Sequence, residues 1–163
     1  MATDAMNERI DKLKELDKEI RQKYNDVVTL SKEIEFDFID LDGESLKTPV
    51  LYGKYLKFYT DMMIELNEWT ELYDKVYLER WKYYQGKQKS EYYAKYGPFN
   101  EIVTKTDLEL YLKSDDLLCL IRSILVVMKQ HVAFLEKITK EISNRGFHIK
   151  TAVDWRKFQS GAM

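Results

Sequence analysis

Between Thr48 and Gln85 a single apolar stripe runs almost unbroken. Tyr52, Tyr55, Tyr59, Met62, Leu66, Trp69, Tyr73, Val76 and Tyr83 follow one another at helical spacing, and Arg80 is the one charged member. That is the period of one helix face. Thr48 offers a capping hydroxyl and Pro49 a first helical position without an N–H to lose, so the helix is expected to start there. Gly86 is its expected stop. Such a helix has ~37 residues and a length of ~55 Å. A chain of 163 residues has no single core that long, so part of the helix is expected to face another subunit or a ligand.

Composition agrees with a helical chain. Two prolines and six glycines are too few for the many turns of a sheet protein, and charged residues at 33% beside apolar ones at 45% suit long amphipathic helices. A second long helix is expected from Ser114-Asp115-Asp116 to Asn144. Ten of its residues from Leu117 to Met128 are apolar, so its first half is expected to be buried on nearly all sides. That run falls short of the ~20 residues that cross a membrane. Thr106-Asp107-Leu108-Glu109 has the form of a capping box opening a short helix before it. The single cysteine, Cys119, excludes a disulfide framework and fits a reducing compartment. The charged N-terminal stretch has no apolar signal region. A soluble, intracellular protein with no membrane partner is expected.

The first helix is expected from Asn7 to Ile34. Met6, Leu13, Ile20, Val27 and Ile34 recur every seven residues, Leu16 and Leu30 fill two alternate seam positions, and Arg9 and Lys23 fill the other two. This imperfect seam fits a coiled-coil-like arm that needs a partner helix, or an amphipathic helix lying on its own body. Six acids and no base follow between Glu33 and Glu44. Asp40-Leu41-Asp42-Gly43 has part of a calcium-loop pattern, but the loop's first and twelfth positions would be Phe38 and Pro49, which cannot ligate. The stretch serves either as a connector or as a docking patch for a basic partner. Net charge is −2 overall, yet the arm is acidic and the remainder mildly basic. Residues 1–44 are therefore taken as an arm and connector, and 45–163 as the main helical domain.

Gly146, with Phe147 behind it, has the form of a left-handed helix stop. A short final helix over 147–160 would then carry Phe147, Ile149, Val153, Trp155 and Phe158. With Ala152 these cover an arc of roughly 220° on a wheel, about twice what one supporting face needs. The tail is expected to be gripped by its own subunit and by a neighbour, as an oligomerisation element.

No catalyst is legible. Gly86-Lys87 lacks the remaining residues of a phosphate loop, and His131, His148 and Cys119 are not spaced as metal ligands. No enzyme activity, metal or cofactor is expected. One stretch does carry binding chemistry: RWKYYQGKQK, residues 80–89. Arg80, Lys82, Lys87 and Lys89 bring four positive charges and no acid, interleaved with Trp81, Tyr83 and Tyr84. Single-stranded nucleic acid is held this way, cations on phosphates and flat side chains on bases, each stack contributing ~1–3 kcal/mol. A solvated helix end with its aromatics in the core would have the same composition.

Asn144-Arg145-Gly146-Phe147, Ile149-Lys150, Asp154, Arg156, Phe158 and Gly161 together resemble the C-terminus of the UvsY family of phage recombination mediators. Arg80 to Gly86 resembles the same family's Arg-x-x-Tyr-Tyr-x-Gly, and Leu51 to Leu56 its Leu-Tyr-x-Lys-x-Leu. The resemblance covers residues 45–161 and leaves the N-terminal arm unaccounted for. It implies an all-α ring, a homo-oligomer of roughly six or seven subunits (hexamer or heptamer) closed through the C-terminal region. It implies three further partners: single-stranded DNA, a RecA-like (UvsX-like) recombinase and the phage single-stranded-DNA-binding protein, all in the cytoplasm of the infected bacterial host. Arg80 matches the arginine of the family's basic pair. The matching lysine position is Leu78, with Lys75 and Lys82 on either side. A non-enzymatic viral scaffold protein is the alternative that the helical pattern alone would allow.

Overall fold

The computed structural model of the chain describes residues 2–161. Among these residues five α-helices follow in order: α1 Ala2–Leu30, α2 Leu41–Tyr84, α3 Ser90–Tyr96, α4 Leu108–Ser114 and α5 Asp116–Gln159, with a 3-10 turn over Ser31–Ile34. Among the described residues there is no strand. The all-α architecture with two long helices is as the sequence predicts.

Several helix ends differ from expectation, and each difference has a local or tertiary cause. The long central helix starts at Leu41 rather than Thr48. Asp40 caps it, accepting the Gly43 N–H on its carboxylate at 2.9 Å, and a Cβ at Gly43 would overlap that carboxylate. Pro49 is carried inside α2, where Thr48 bonds the Glu44 carbonyl at 2.8 Å. The far end is as predicted. Gly86 sits at φ 65°, with Lys87 N–H on Lys82 O at 2.8 Å and Gly86 N–H on Tyr83 O at 3.2 Å, the paired bonds of a Schellman stop. At α4 the cap is displaced by two residues. Thr104, not Thr106, accepts the Asp107 N–H at 3.2 Å and donates to the Asp107 carboxylate at 2.7 Å.

The expected break at Gly146 is absent. Helix α5 runs through it to Gln159, and the left-handed glycine of the tail is Gly161, at φ 71°. A glycine inside a helix costs ~1 kcal/mol, and two side-chain anchors outweigh that. Arg145 forms a buried ion pair with Glu44 and bonds Ile34 O. Arg156 donates to the carbonyls of Phe38 and Ile39. Eleven helical residues, about three turns, bring both arginines to the same 34–44 segment, and a left-handed kink between them would separate them. The short terminal helix over 147–160 is thus the end of α5.

The chain divides into two compact units: residues up to Lys23 with Glu65–Lys129, and Tyr24–Ile64 with the residues from Gln130 on. The core of the first is a cluster of Leu13, Val76, Leu108, Leu112, Leu117, Leu118, Ile121 and Leu125, flanked by Met6, Ile10, Trp69 and Trp81. Complete burial of one such aliphatic side chain contributes ~1.5–3 kcal/mol. Helix α5 is long and apolar enough to pass for a membrane span by composition, but Leu117, Leu118, Ile121, Ile124 and Met128 lie within the protein's own core.

The heptad positions Leu13, Ile20 and Val27 of α1 are buried within the chain, while the alternate seam positions Leu16 and Leu30 are exposed; the helix lies with its heptad face on the chain's own residues. Its two charged seam positions meet acids of α2: Arg9 pairs with Glu79 and Lys23 with Glu65. Both pairs of positions are two heptads apart and run in opposite directions, as in antiparallel helices.

In the second unit Tyr55, Met62, Leu135 and Ile142 are fully enclosed, and Tyr24 meets His131 and Phe134 edge-on with centroids 5.0 and 6.0 Å away. His131 is a core residue.

Candidate functional site

The basic, aromatic segment begins where α2 ends. Its residues separate into a buried set and an exposed set. Arg80 and Tyr83 are buried, Trp81 and Tyr84 are half-buried, and Lys82, Lys87 and Lys89 are exposed.

Arg80 is taken up by its own protein. Its Nε donates to Asp115 Oδ2 at 2.6 Å, Nη2 to the Tyr84 hydroxyl at 3.2 Å and Nη1 to the Tyr92 hydroxyl at 3.5 Å. The guanidinium also lies over the Tyr83 ring, 4.2 Å from its centroid. Burial opposes its charge, but the Asp115 carboxylate and the two phenolic hydroxyls outweigh this and push its pKa upward. Asp115 accepts a second bond from Tyr84 at 2.7 Å and caps α5 through the Leu118 N–H at 3.1 Å. It therefore joins the end of α2 to the start of α5. Burial and the bond to Asp115 push the Tyr84 phenol up to about 12. The sequence places Arg80 among the phosphate contacts; the structure gives it an internal counter-ion, because Asp115, 35 residues away, folds against it. Tyr83 is likewise enclosed, among Tyr92, Tyr93 and Phe99 at centroid distances of 5.6–5.8 Å.

The exposed set spans the last turn of α2 and the turn that follows. Lys82 is on the last turn of α2, Lys87 reaches over the Trp81 ring at 4.7 Å, and Lys89 precedes the first residue of α3. Lys95, on α3, lies beside Tyr96 at 5.2 Å. The turn is braced by Gln88, whose side chain bonds Glu79 O at 2.8 Å, while Tyr93 OH bonds Tyr83 O at 3.3 Å. Three lysines on a rigid turn can neutralise phosphates, and Trp81 offers part of a ring face. Glu79 and Asp115 escaped sequence reasoning. For Glu79 a signal did exist, since Arg9 breaks the heptad seam and needs an acid opposite.

The tail is the second surface. Phe147, Trp155 and Phe158 are exposed by 71%, 60% and 70%, and Trp155 stacks on Phe158 at 5.7 Å. Ile149 and Val153 are half-buried. A groove of about 600 Å³ lies beside them, lined by Phe36, Phe38, Ile142, Arg145, Trp155 and Arg156. Among the described residues no group of three or more His, Cys, Asp or Glu side chains could hold a metal ion.

The described residues thus combine an all-helical fold with a cationic, aromatic-backed turn and a bare aromatic tail. Its sequence matches the profile of the family described as recombination, repair and ssDNA binding protein UvsY over residues 29–162. The chain belongs to the UvsY family. Its fold is similar to the crystal structure of the bacteriophage T4 recombination mediator protein UvsY, with a TM-score of 0.73 at 20% identity, covering 83% of this chain and 96% of that one. No curated protein sequence matches it. Most of α1, Ala2–Leu30, precedes the matched region.

Proposed function

We propose that this protein is a recombination mediator that binds single-stranded DNA and loads a RecA-like recombinase onto strands covered by the phage single-stranded-DNA-binding protein, in the cytoplasm of the infected host. The observation that carries this is the conjunction of the family match over residues 29–162 with three exposed lysines at the end of α2 and on the turn to α3. Lys82, Lys87 and Lys89 contact phosphates, Trp81 backs them, and Arg80 holds their platform rather than touching the strand.

Loading works through differential binding, which needs no energy source of its own. The protein favours a strand geometry that suits the recombinase and not the covering protein. Assembly makes weak sites sufficient. A hexameric or heptameric ring tethers one lysine turn per subunit and raises the effective local concentration of the rest. A head-to-tail ring needs two different faces on each subunit. The bare tail is one candidate, and the exposed stripe of Leu46, Val50, Leu56 and Ile64 on α2 is the other.

The test is a salt titration of oligonucleotide binding by the parent and by Lys82→Ala/Lys87→Ala/Lys89→Ala. Each single-strand phosphate contact contributes ~0.7 to the slope of log K against log salt, so the triple variant should lose about 2 from that slope. Unlabelled single strands should compete and duplex should not. An unchanged slope, or equal competition by duplex, refutes this site.

A further inference from the structure

We infer that Arg9, on the helix that largely precedes the family-matched region, is a positioning residue for the single-strand surface: it holds Glu79 away from the DNA-facing lysines and keeps α3 in place. This rests on the proposed site at Lys82, Lys87 and Lys89.

Glu79 is a carboxylate positioned to spoil that surface. On α2 it stands three residues before Lys82 and four after Lys75, and side chains at these spacings are neighbours on a helix. Lys75 is exposed and holds only a 3.5 Å contact with Glu71. A free Glu79 would therefore pair with Lys82 or Lys75 and withdraw a cation from the strand.

Arg9 prevents this with a two-pronged grip. Nη1 meets Oε1 and Nη2 meets Oε2, the latter at 3.2 Å, with about a quarter of each side chain exposed, 28% and 27%. A planar guanidinium on a carboxylate fixes direction as well as charge. Burial opposes the charge on Arg9, and Glu79 more than restores it.

The same carboxylate is a structural junction. Glu79 Oε1 also accepts the Tyr92 hydroxyl at 2.8 Å, and Tyr92 in turn accepts from Arg80. The Glu79 carbonyl accepts Gln88 at 2.8 Å. Orienting Glu79 thus orients α3, the turn that carries Lys87 and Lys89, and the free face of Lys82. Nearby on α1, Lys12 pairs with Glu8 at 2.9 Å and Lys14 with Asp11 at 3.2 Å, whereas Arg9 reaches across to α2.

The test compares full-length Arg9→Ala, Arg9→Lys and Arg9→Ala/Glu79→Gln with the parent, using an oligo-dT strand across a range of salt. Arg9→Ala should weaken binding roughly fivefold at 0.1 M salt and reduce the slope by about 0.7, the share of one phosphate contact. Arg9→Lys should recover most of that loss. The double variant should return to within about twofold of the parent, because the freed carboxylate is gone; a purely structural role for Arg9 would give no such rescue. If Arg9→Ala does not fold, Arg9→Gln, which keeps a donor but no charge, takes its place. Binding by the single variant within twofold of the parent, or a double variant no better than the single, overturns the inference. The triple lysine variant is the control: if it binds like the parent, the site itself is misplaced, whereas if it weakens while Arg9→Ala does not, only the role of Arg9 fails.

Discussion

The end of α2 and the end of α5 are built from the same residue types, arginine and large aromatics, and the structure treats them in opposite ways. At the end of α2 they satisfy one another. Arg80 spends its donors on Asp115, Tyr84 and Tyr92, and Tyr83 is enclosed by other rings. On the last turns of α5 the arginines are used up as well, Arg145 on Glu44 and Arg156 on backbone carbonyls, but Phe147, Trp155 and Phe158 stay bare. The contrast separates two tasks. In the first region the aromatic and arginine framework supports a small number of free lysines. In the second the arginines fasten the helix and leave its aromatics in solvent.

The largest effect expected from breaking this contrast is at the tail. If the proposed ring closes through the tail, Trp155→Asp or Phe158→Asp should yield smaller species than the parent by sedimentation or light scattering. Anchor aromatics at interfaces are worth ~2–4 kcal/mol each, and a ring presents every interface once per subunit. The thermal stability of the released subunit should barely change, because the side chains are already in water. A ring of unchanged mass would return the tail to ordinary surface.

Asp115→Ala attacks the other region, where the loss should appear as stability and not as assembly. Removing one partner of a buried ion pair typically costs ~3–5 kcal/mol, and Asp115 also caps α5. Urea denaturation should show a loss of unfolding free energy of that order. A shift below ~1 kcal/mol would mean that Arg80 reaches water on its own and is available to DNA.

Tyr84→Phe is the mildest change and sharpens the reading through pH. The Tyr84 phenol is pushed up to about 12 in the folded protein, against about 10 in an unfolded chain. Between these values the unfolded state loses its proton while the folded state keeps it. The stabilisation is therefore complete below pH ~10 and disappears as pH rises toward 12. Tyr92 is raised in the same direction by burial and its bond to Glu79 and adds to the same decline. Tyr84→Phe should cost ~1 kcal/mol at neutral pH and make the alkaline loss shallower. An unaltered alkaline profile would exclude Tyr84 from the network.

How much of this was legible varies by feature. The helix of α2, its stop at Gly86 and the burial of Leu117–Met128 follow from residues within a few positions of one another. The heptad seam of α1 was visible too, and its two flaws, Arg9 and Lys23, were the informative positions, because each meets an acid of α2. Gly146 misled, since the stop pattern is local while the anchors that override it, Arg145 to Glu44 and Arg156 to Phe38 and Ile39, span about 100 residues or more. Arg80 misled for the same reason. Its charge was plain, but its partner lay in another helix.

The sequence by itself determined that the chain is helical, roughly where the helices lie, and which segments hold the cations and aromatics. Helix periodicity and most caps depend on neighbours within about four residues, so a linear reading reaches them. Only the tertiary structure decided which of those groups remain free. A charge or a ring is spent or spared according to what packs beside it, and here that partner comes from 35 to 118 residues away.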